Sequence, residues 1–243
     1  MIGLILAAGA GRRLRPYTDT LPKALVPLDD SRSVMDLTLA NFAECGLSDV
    51  AIVIGYAADQ VRQRKDQFEE TYGVNIELVF NDKAEEWNNA YSLWCARDLF
   101  EQGLILANGD TIHPVTVEHM LLNADDSHIT LALDTVKTLG DEEMKVQLNQ
   151  DAGVSLITKL MEPQTAAGEY IGVSRIPSAC AADLSDALKV TFERDPNLYY
   201  EDGFQEMTNR GIHIATCAIG NVPWIEVDTL EDLDRAREIV CNY

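Results

Sequence analysis

Between Leu4 and Leu28 the chain reads LILAAGAGRRLRPYTDTLPKALVPL. An apolar run ends in a loop whose glycines, Gly9 and Gly11, lack side chains, so backbone N–H groups there can come close to a bound anion. Arg12, Arg13, Arg15 and Lys23 place four positive charges within twelve residues, against Asp19 alone. Donors with access to an anion's oxygens and a local field of opposite sign are what a phosphate-bearing ligand requires. Spacing excludes two common phosphate loops. A dinucleotide fingerprint needs a third glycine where Leu14 stands, and a Walker A loop needs Ser or Thr where Ala24 follows Lys23. From these residues alone, a solvated basic loop remains an alternative.

The loop is a local inversion of sign. Lysine and arginine number 19 and aspartate and glutamate 40, for a net charge of −21 over 243 residues. Such a surface repels nucleic acid and anionic membranes and favours solubility, so neither is expected as a partner. Hydrophobic residues make up 47%, enough for a substantial core. No apolar run approaches the roughly 20 residues of a membrane span. MIGLILAAGAG carries no basic segment ahead of its apolar stretch, so a core strand is expected there rather than a signal peptide. Cys45, Cys95, Cys180, Cys217 and Cys241 are odd in number and scattered, with no C-x-x-C. They predict buried free thiols and a cytoplasmic location rather than disulfides or zinc.

The elements that must position the loop follow from periodicity. Ile2 to Ala8 predicts a strand buried on both faces. Helices are expected at Met35–Cys45, Ala58–Tyr72, Asn88–Phe100 (with Tyr91, Trp94 and Leu99 on its buried side) and Val115–Leu122. Strands are expected at Val50–Ile54, Ile76–Phe80, Leu104–Ala107 and Ile129–Leu133. This alternation predicts βαβ units and a mostly parallel sheet. After residue 135 the pattern shortens to strands at Met144–Leu148, Val154–Ile157 and Tyr170–Ser174. Helices at Ala179–Phe192 and Gly203–Asn209, strands at Ile214–Ala218 and Trp224–Val227, and a helix at Leu230–Val240 complete the chain. One α/β domain over 1–243 is the simplest account, with a first half, 1–135, and an elaborated second half, 136–243.

Ligands of open α/β sheets sit beyond the carboxyl ends of the strands, where the Gly9–Pro22 loop lies. Asp110 closes LILANGD and reaches the same edge, although a turn aspartate after glycine has a structural use of its own. Asp228 stands just ahead of the last helix, with Thr229 the expected cap. His113, His119, His128 and His213 are dispersed, and only His113, close to Asp110, is expected near a site there.

Leu6 to Pro27 meets every fixed position of L-A-A-G-x-G-x-R-L-x-P-x-T-x-x-x-P-K-x-L-x-P, the signature of nucleotidyltransferases that activate phosphorylated sugars and alcohols. The resemblance implies a Rossmann-like mixed, mostly parallel sheet of the nucleotide-diphospho-sugar transferase type, flanked by helices. It also implies transfer of a nucleoside monophosphate from a triphosphate to a phosphorylated acceptor, with release of pyrophosphate. Carried over by position, Leu6, Ala7, Ala8 and Gly9 would meet the nucleotide, Gly11 and Arg13 the triphosphate, and Lys23 the reacting phosphate. Asp110 and Asp228 would hold Mg²⁺, which takes a few carboxylates plus phosphates and water. Arg12 and Arg15 fall on variable positions and are left as field charges.

Phe80 to Trp94 reads FNDKAEEWNNAYSLW. This departs from the Q-P-x-P-x-G-L-A-like segment of the sugar-activating enzymes. It resembles the F-N-x-x-(aromatic)-N-N-x-Y-S-L segment of bacterial CTP:phosphocholine cytidylyltransferases, which points to CTP. Asn88 and Asn89 would then read the base or fix the acceptor, the alternative for Asn88 being a helix cap. The stretches 141–146 and 168–173 resemble the acceptor side of these enzymes. Lys145 and Glu169 are the polar acceptor candidates, and Tyr170, Tyr199, Tyr200 and Trp224 the aromatic ones, the latter suited to a quaternary ammonium, with Glu201 or Asp202 adding charge, but equally to core packing. Expected acceptors are phosphocholine, an aminoalkyl- or hydroxyalkylphosphonate, or an inositol phosphate; a homodimer is compatible with all of them. A sugar-1-phosphate nucleotidyltransferase using UTP, dTTP or GTP, and an inactive nucleotide-sensing domain, are the alternatives.

Overall fold

Alternate residues of the first apolar run face opposite sides of one sheet, Leu4 into one core and Ile5 into the other, and both are fully buried. The computed structural model describes residues 1–240. In chain order its first half comprises β1 (Ile2–Ala7), α1 (Val34–Glu44), β2 (Asp49–Ile54), α2 (Ala58–Tyr72), β3 (Asn75–Phe80), α3 (Asn89–Cys95), β4 (Leu104–Asn108), β5 (Thr111–Ile112), α4 (Thr116–Leu122) and β6 (Ile129–Asp134). The second half adds β7 (Lys145–Leu148), β8 (Val154–Thr158), β9 (Gly168–Ile176), α5 (Ala181–Arg194), α6 (Tyr200–Asn209), β10 (Ile214–Ala218), β11 (Ile225–Glu226) and α7 (Leu230–Val240).

The main sheet runs β10-β6-β9-β4-β1-β2-β3, with β7 and β8 attached beside β9. β1 is parallel to both β2 and β4, and β6 is parallel to β10. β9 lies antiparallel between β4 and β6. The sheet is therefore mixed but mostly parallel, as expected, and strand order reverses at β1. The two halves of the chain share this sheet, because β9 from the second half separates two strands of the first. Pairing on both edges also explains why β9 is nine residues long and buried throughout, where only Tyr170–Ser174 is predicted. One core packs α3, α5 and α6 against one face, through residues such as Leu93, Leu188 and Phe204. The other packs α1, α2 and α4 against the opposite face, through Phe42, Val61 and Leu121.

Three element predictions need correction. The helix expected to run from Asn88 to Phe100 is two pieces: α3 stops at Cys95 and a 3₁₀ segment spans Arg97–Gln102. Ala96 N already bonds Leu93 O, the tighter pattern of a helix end. Its buried side chains are Ala90, Ser92, Leu93, Ala96 and Phe100, while Tyr91, Trp94 and Leu99 are only half-buried. The α6 helix begins at Tyr200, three residues early, because Asp202 Oδ2 accepts from Tyr199 N and closes its first turn. β5 is unpredicted; two residues carry no periodicity. Among the described residues the cysteines are free, as expected, but only Cys180 is buried; Cys45, Cys95 and Cys217 are half-buried, and Cys241 lies outside the described residues. No helix is long and apolar enough to cross a membrane among the described residues.

Candidate active site

The basic loop is held by its own backbone. Gly11 has φ +56°, a left-handed conformation that costs glycine little, and Leu14 N and Thr18 Oγ1 both donate to its carbonyl, at 2.9 and 2.8 Å. A Cβ on Gly11 would lie 2.9 Å from Lys23 Cβ, so the glycine also lets the Lys23 stem pass. Tyr56 Oη donates to Thr18 O at 2.8 Å and ties the loop to the segment after β2. Ala24 and Leu25, buried behind Lys23, anchor the loop's far end in the core.

A two-stranded ribbon brings the acidic residues to this lysine. β5 and β11 pair antiparallel, Glu226 opposite Thr111 and Ile225 opposite Ile112, and Val227 N donates to Asp110 O at 2.9 Å. Residues far apart in the chain thus meet beyond the carboxyl ends of β1 and β4. Gly109 must be small, since a Cβ there would lie 2.6 Å from Leu6 O. Thr229 caps α7: Asp232 N donates to Thr229 Oγ1 and Asp232 Oδ2 accepts from Thr229 N. The cap fixes the chain immediately after Asp228.

Lys23 Nζ bridges Asp110 Oδ2 at 2.6 Å and Asp228 Oδ1 at 2.5 Å, while Arg13 Nη2 holds Asp228 Oδ2 at 2.7 Å. Burial by itself would lower the Lys23 pKa; Asp110 and then Asp228 outweigh it and hold the ammonium well above the usual lysine value. Burial would likewise raise Asp228, but Lys23 and Arg13 keep it below the usual carboxylate range. Glu226 completes a set of three carboxylates, with Asp110 and Asp228, whose oxygens lie within 4.8 Å of one another. The Glu226 side chain is exposed to water, so the charges of Asp110 and Asp228, rather than burial, raise its carboxyl above the usual value. Asp110 Oδ1 is buried without a hydrogen-bond partner. Three convergent carboxylates, one with an unused oxygen, fit a hard divalent cation.

These groups line one cleft of about 430 Å³. Of the nucleotide candidates, Leu6, Ala8, Gly9, Gly11, Asn88 and Asn89 line it, as does Arg12; Ala7 is packed into the core on the other face and does not. Arg15 turns away to the exposed Asp19 at 3.2 Å. Asn88 and Asn89 are committed to the scaffold. Asn88 Oδ1 accepts from Asn89 N, its Nδ2 donates to Asn197 O, and Asn89 Oδ1 accepts from Tyr200 N. Capping is thus what the Asn88 side chain does here.

On the acceptor side several expectations fail. Lys145 is fully buried, its Nζ donating to the carbonyls of Gly140, Asp141 and Glu143 at 3.1, 2.9 and 3.2 Å, and it does not line the cleft. It pins a turn. Lys145→Met is expected to lower stability by about 2–3 kcal/mol in chemical denaturation, by losing charge-assisted hydrogen bonds, with substrate KM values unchanged. A raised acceptor KM at unaltered stability would restore it to the site. Glu169 is buried against Lys137 (2.9 Å), and Trp224 donates its indole N–H to Asp134 Oδ2 at 2.7 Å; both line a neighbouring cavity that shares Glu226 and Asp228 with the cleft, rather than the cleft itself. Tyr170 does line the cleft. Tyr200 is buried beneath it, donating to Asn108 Oδ1 at 3.0 Å, with its hydroxyl 3.1 Å from that of Tyr170. His113 is buried against Glu118 at 2.7 Å, with Asn41 beside that carboxylate, and does not line the cleft.

Two charged cleft residues, Glu226 and Lys159, escape the sequence reading, whereas Glu201 is expected there. Glu226 is two residues from Asp228 in a strand too short to show alternation. Lys159 lines the cleft with its ammonium 5.4 Å from the Tyr199 ring centroid. Lys145 pairs with Thr158 across the β7–β8 hairpin, so the next residue, Lys159, falls on the opposite face. Glu201, at the start of α6, is buried with Oε2 unpartnered. Burial pushes its carboxyl from 4.5 up to about 8. The fold therefore favours the protonated acid. This contribution to stability is complete below about 4.5 and is lost as pH rises through about 8. Tm is expected to fall from about pH 6 to about pH 9, and Glu201→Gln to flatten that fall. Parallel curves for the two proteins would assign it to other groups.

A family model described as nucleotidyl transferase matches residues 2–144. The choline-phosphate cytidylyltransferase of Streptococcus pneumoniae is 41% identical over 98 residues, 40% of this chain and 40% of that protein. The CMP-5'-(3-aminopropyl)phosphonate synthase of Streptomyces rubellomurinus is 25% identical over 244 residues, 96% of this chain but 38% of that protein. These matches thus span about two-fifths of either relative's length. The structure of the inositol-1-phosphate CTP transferase from T. maritima superposes with a TM-score of 0.83 at 23% identity, covering 98% of this chain and 94% of the other, which establishes a shared fold.

Proposed function

Because the chain belongs to the nucleotidyl transferase family, we propose that it is a cytidylyltransferase, transferring CMP from CTP to a small acceptor carrying a phosphate or phosphonate. The observation that carries this reading is the meeting of Arg13 and Lys23 with Asp110, Asp228 and Glu226 at the mouth of a glycine loop. An oxygen of the acceptor's phosphoryl group forms a bond to the α-phosphorus of CTP. The bond from that phosphorus to the bridging oxygen breaks, and pyrophosphate departs with the electron pair. No covalent enzyme intermediate is needed; positioning two anions and neutralising their charge accounts for catalysis. Gly9 and Gly11 leave room for the triphosphate, with Arg13 beside it, and Lys23 stabilises charge at the reacting phosphorus. Asp110 and Asp228, with Glu226 alongside, would hold a magnesium ion, which when bound neutralises the triphosphate and aligns it.

CTP as donor is supported by the cytidylyl relatives and by the segment from Phe80 to Trp94. For the acceptor, Lys159 takes the role first assigned to Lys145, an ammonium in the cleft for the phosphoryl group. The ring of Tyr170, and Glu201 once it gives up its proton, suit a cationic amine on the same acceptor. This favours phosphocholine or an aminoalkylphosphonate over inositol phosphate. Lys159→Ala is expected to raise the acceptor KM about 10–100-fold, the worth of one charge-assisted contact, while the CTP KM moves little. An unchanged acceptor KM would remove Lys159 from the site.

The test of the function is pyrophosphate release with Mg²⁺, crossing CTP, UTP, dTTP, ATP and GTP against phosphocholine, 2-aminoethylphosphonate, inositol 1-phosphate and glucose 1-phosphate. Release with CTP and an amine-bearing acceptor is expected. Release only with glucose 1-phosphate and another triphosphate would replace this reading with sugar activation.

A further inference from the structure

We propose that Lys23 is an exchangeable counter-ion, holding Asp110 and Asp228 until a divalent cation takes their oxygens and then swinging its ammonium towards the glycine loop. This rests on reading the two aspartates as metal ligands. The first observation is the bridge itself: Lys23 Nζ sits on one oxygen of each aspartate, at 2.6 and 2.5 Å. A divalent ion between the same two carboxylates would compete for those lone pairs and repel the ammonium at short range.

The second observation is that both aspartates are also held by groups other than the lysine. Arg13 holds the other oxygen of Asp228 at 2.7 Å, and Val227 N ties the Asp110 backbone at 2.9 Å. The ribbon and the Thr229 cap fix the chain on either side. Lys23 is therefore not needed to shape the site.

The third is that the lysine's stem packs against Gly11, leaving its tip as the part free to turn. Its Cβ, Cγ and Cδ all pass close to Gly11, where a Cβ would lie 2.9, 3.0 and 3.4 Å from them. The stem is guided, and rotation about the terminal bonds carries Nζ from the aspartates towards the loop of Gly9 and Gly11. Lys23 would then serve the phosphates only after the cation has replaced it. Metal and nucleotide would favour each other's binding, since each supplies what the other displaces. The competing arrangement leaves Lys23 in place, with the cation on Glu226 and the unused Asp110 Oδ1.

The two arrangements differ in what removing the lysine does to metal affinity. Mn²⁺ binding without nucleotide, read from the electron paramagnetic resonance of the free ion, is expected to be about tenfold tighter in Lys23→Gln than in the wild type, because an internal competitor has gone. Equal or weaker binding in Lys23→Gln, with binding abolished by Asp110→Asn, would overturn the exchange while leaving the metal site intact. Mn²⁺ binding that is insensitive to Asp110→Asn would remove the metal reading and the exchange with it. A second measurement uses the wild-type protein alone, so it does not depend on the variant folding. Adding Mg²⁺ should raise several-fold the rate at which acetic anhydride acetylates Lys23, followed by mass spectrometry of its peptide. An unchanged rate would show that the ammonium stays on the aspartates and would overturn the proposal.

Discussion

Lys23→Ala is expected to lower turnover by about 10²–10³-fold, the usual effect of losing one positioned donor at a centre of developing charge. The reason lies in what else the site offers. Arg13 is committed to Asp228 at 2.7 Å and is largely exposed, whereas Lys23 is the cation whose side chain is 13% exposed and aimed between the aspartates. Truncation at Cβ leaves Arg13 as the one ion-pair partner of the three carboxylates. The fold should survive, since Ala24 and Leu25 anchor the loop and Gly11 tolerates a smaller neighbour. Steady-state kinetics with saturating CTP and acceptor, beside a circular dichroism spectrum, would separate lost chemistry from lost structure. Near-normal turnover in a folded variant would sink the catalytic assignment of Lys23. A slow variant that binds Mn²⁺ more tightly than the wild type would agree with both the catalytic role and the exchange.

Asp110→Asn is the second large effect, about 10²–10³-fold in turnover with half-saturation shifted to higher Mg²⁺. The substitution keeps the shape and the backbone bond to Val227 but replaces a carboxylate by an amide whose NH₂ would face Lys23 or the metal. Asp110 is the more informative of the two aspartates. Its Oδ1 has no protein partner, whereas both oxygens of Asp228 are taken by Lys23 and Arg13. Asn at 228 would therefore also disturb Arg13 and blur the result. Unchanged turnover and unchanged Mg²⁺ dependence in Asp110→Asn would refute the metal role and leave Asp110 as a turn residue.

Much of this protein is legible without its structure because the information is local. The apolar run from Ile2 demands burial on both faces. The αL turn at Gly11 and the spacing to Lys23 are written within a dozen residues, and the strand–helix rhythm of the first half yields a mostly parallel sheet directly. Asp110 and Asp228 can be named because each follows a strand and meets the family pattern in its own neighbourhood.

The acceptor side obeys other physics. A lysine on a hairpin reads the same whether it pins a turn, as Lys145 does, or reaches the cleft, as Lys159 does; one step along the strand reverses the face, and only packing decides which face is the cleft. Trp224 and Glu169 line the neighbouring cavity because Asp134 and Lys137 hold them there, long-range pairings that no window of sequence contains. Glu226 is brought to the aspartates by two strands of two residues each, too short for any periodicity. The sequence by itself determined the glycine-and-lysine loop, the mostly parallel character of the sheet and the identities of the paired cations and aspartates, since these rest on local backbone chemistry and burial. The tertiary structure alone decided which side chains face one another across the cleft, because that depends on contacts between segments a hundred residues apart.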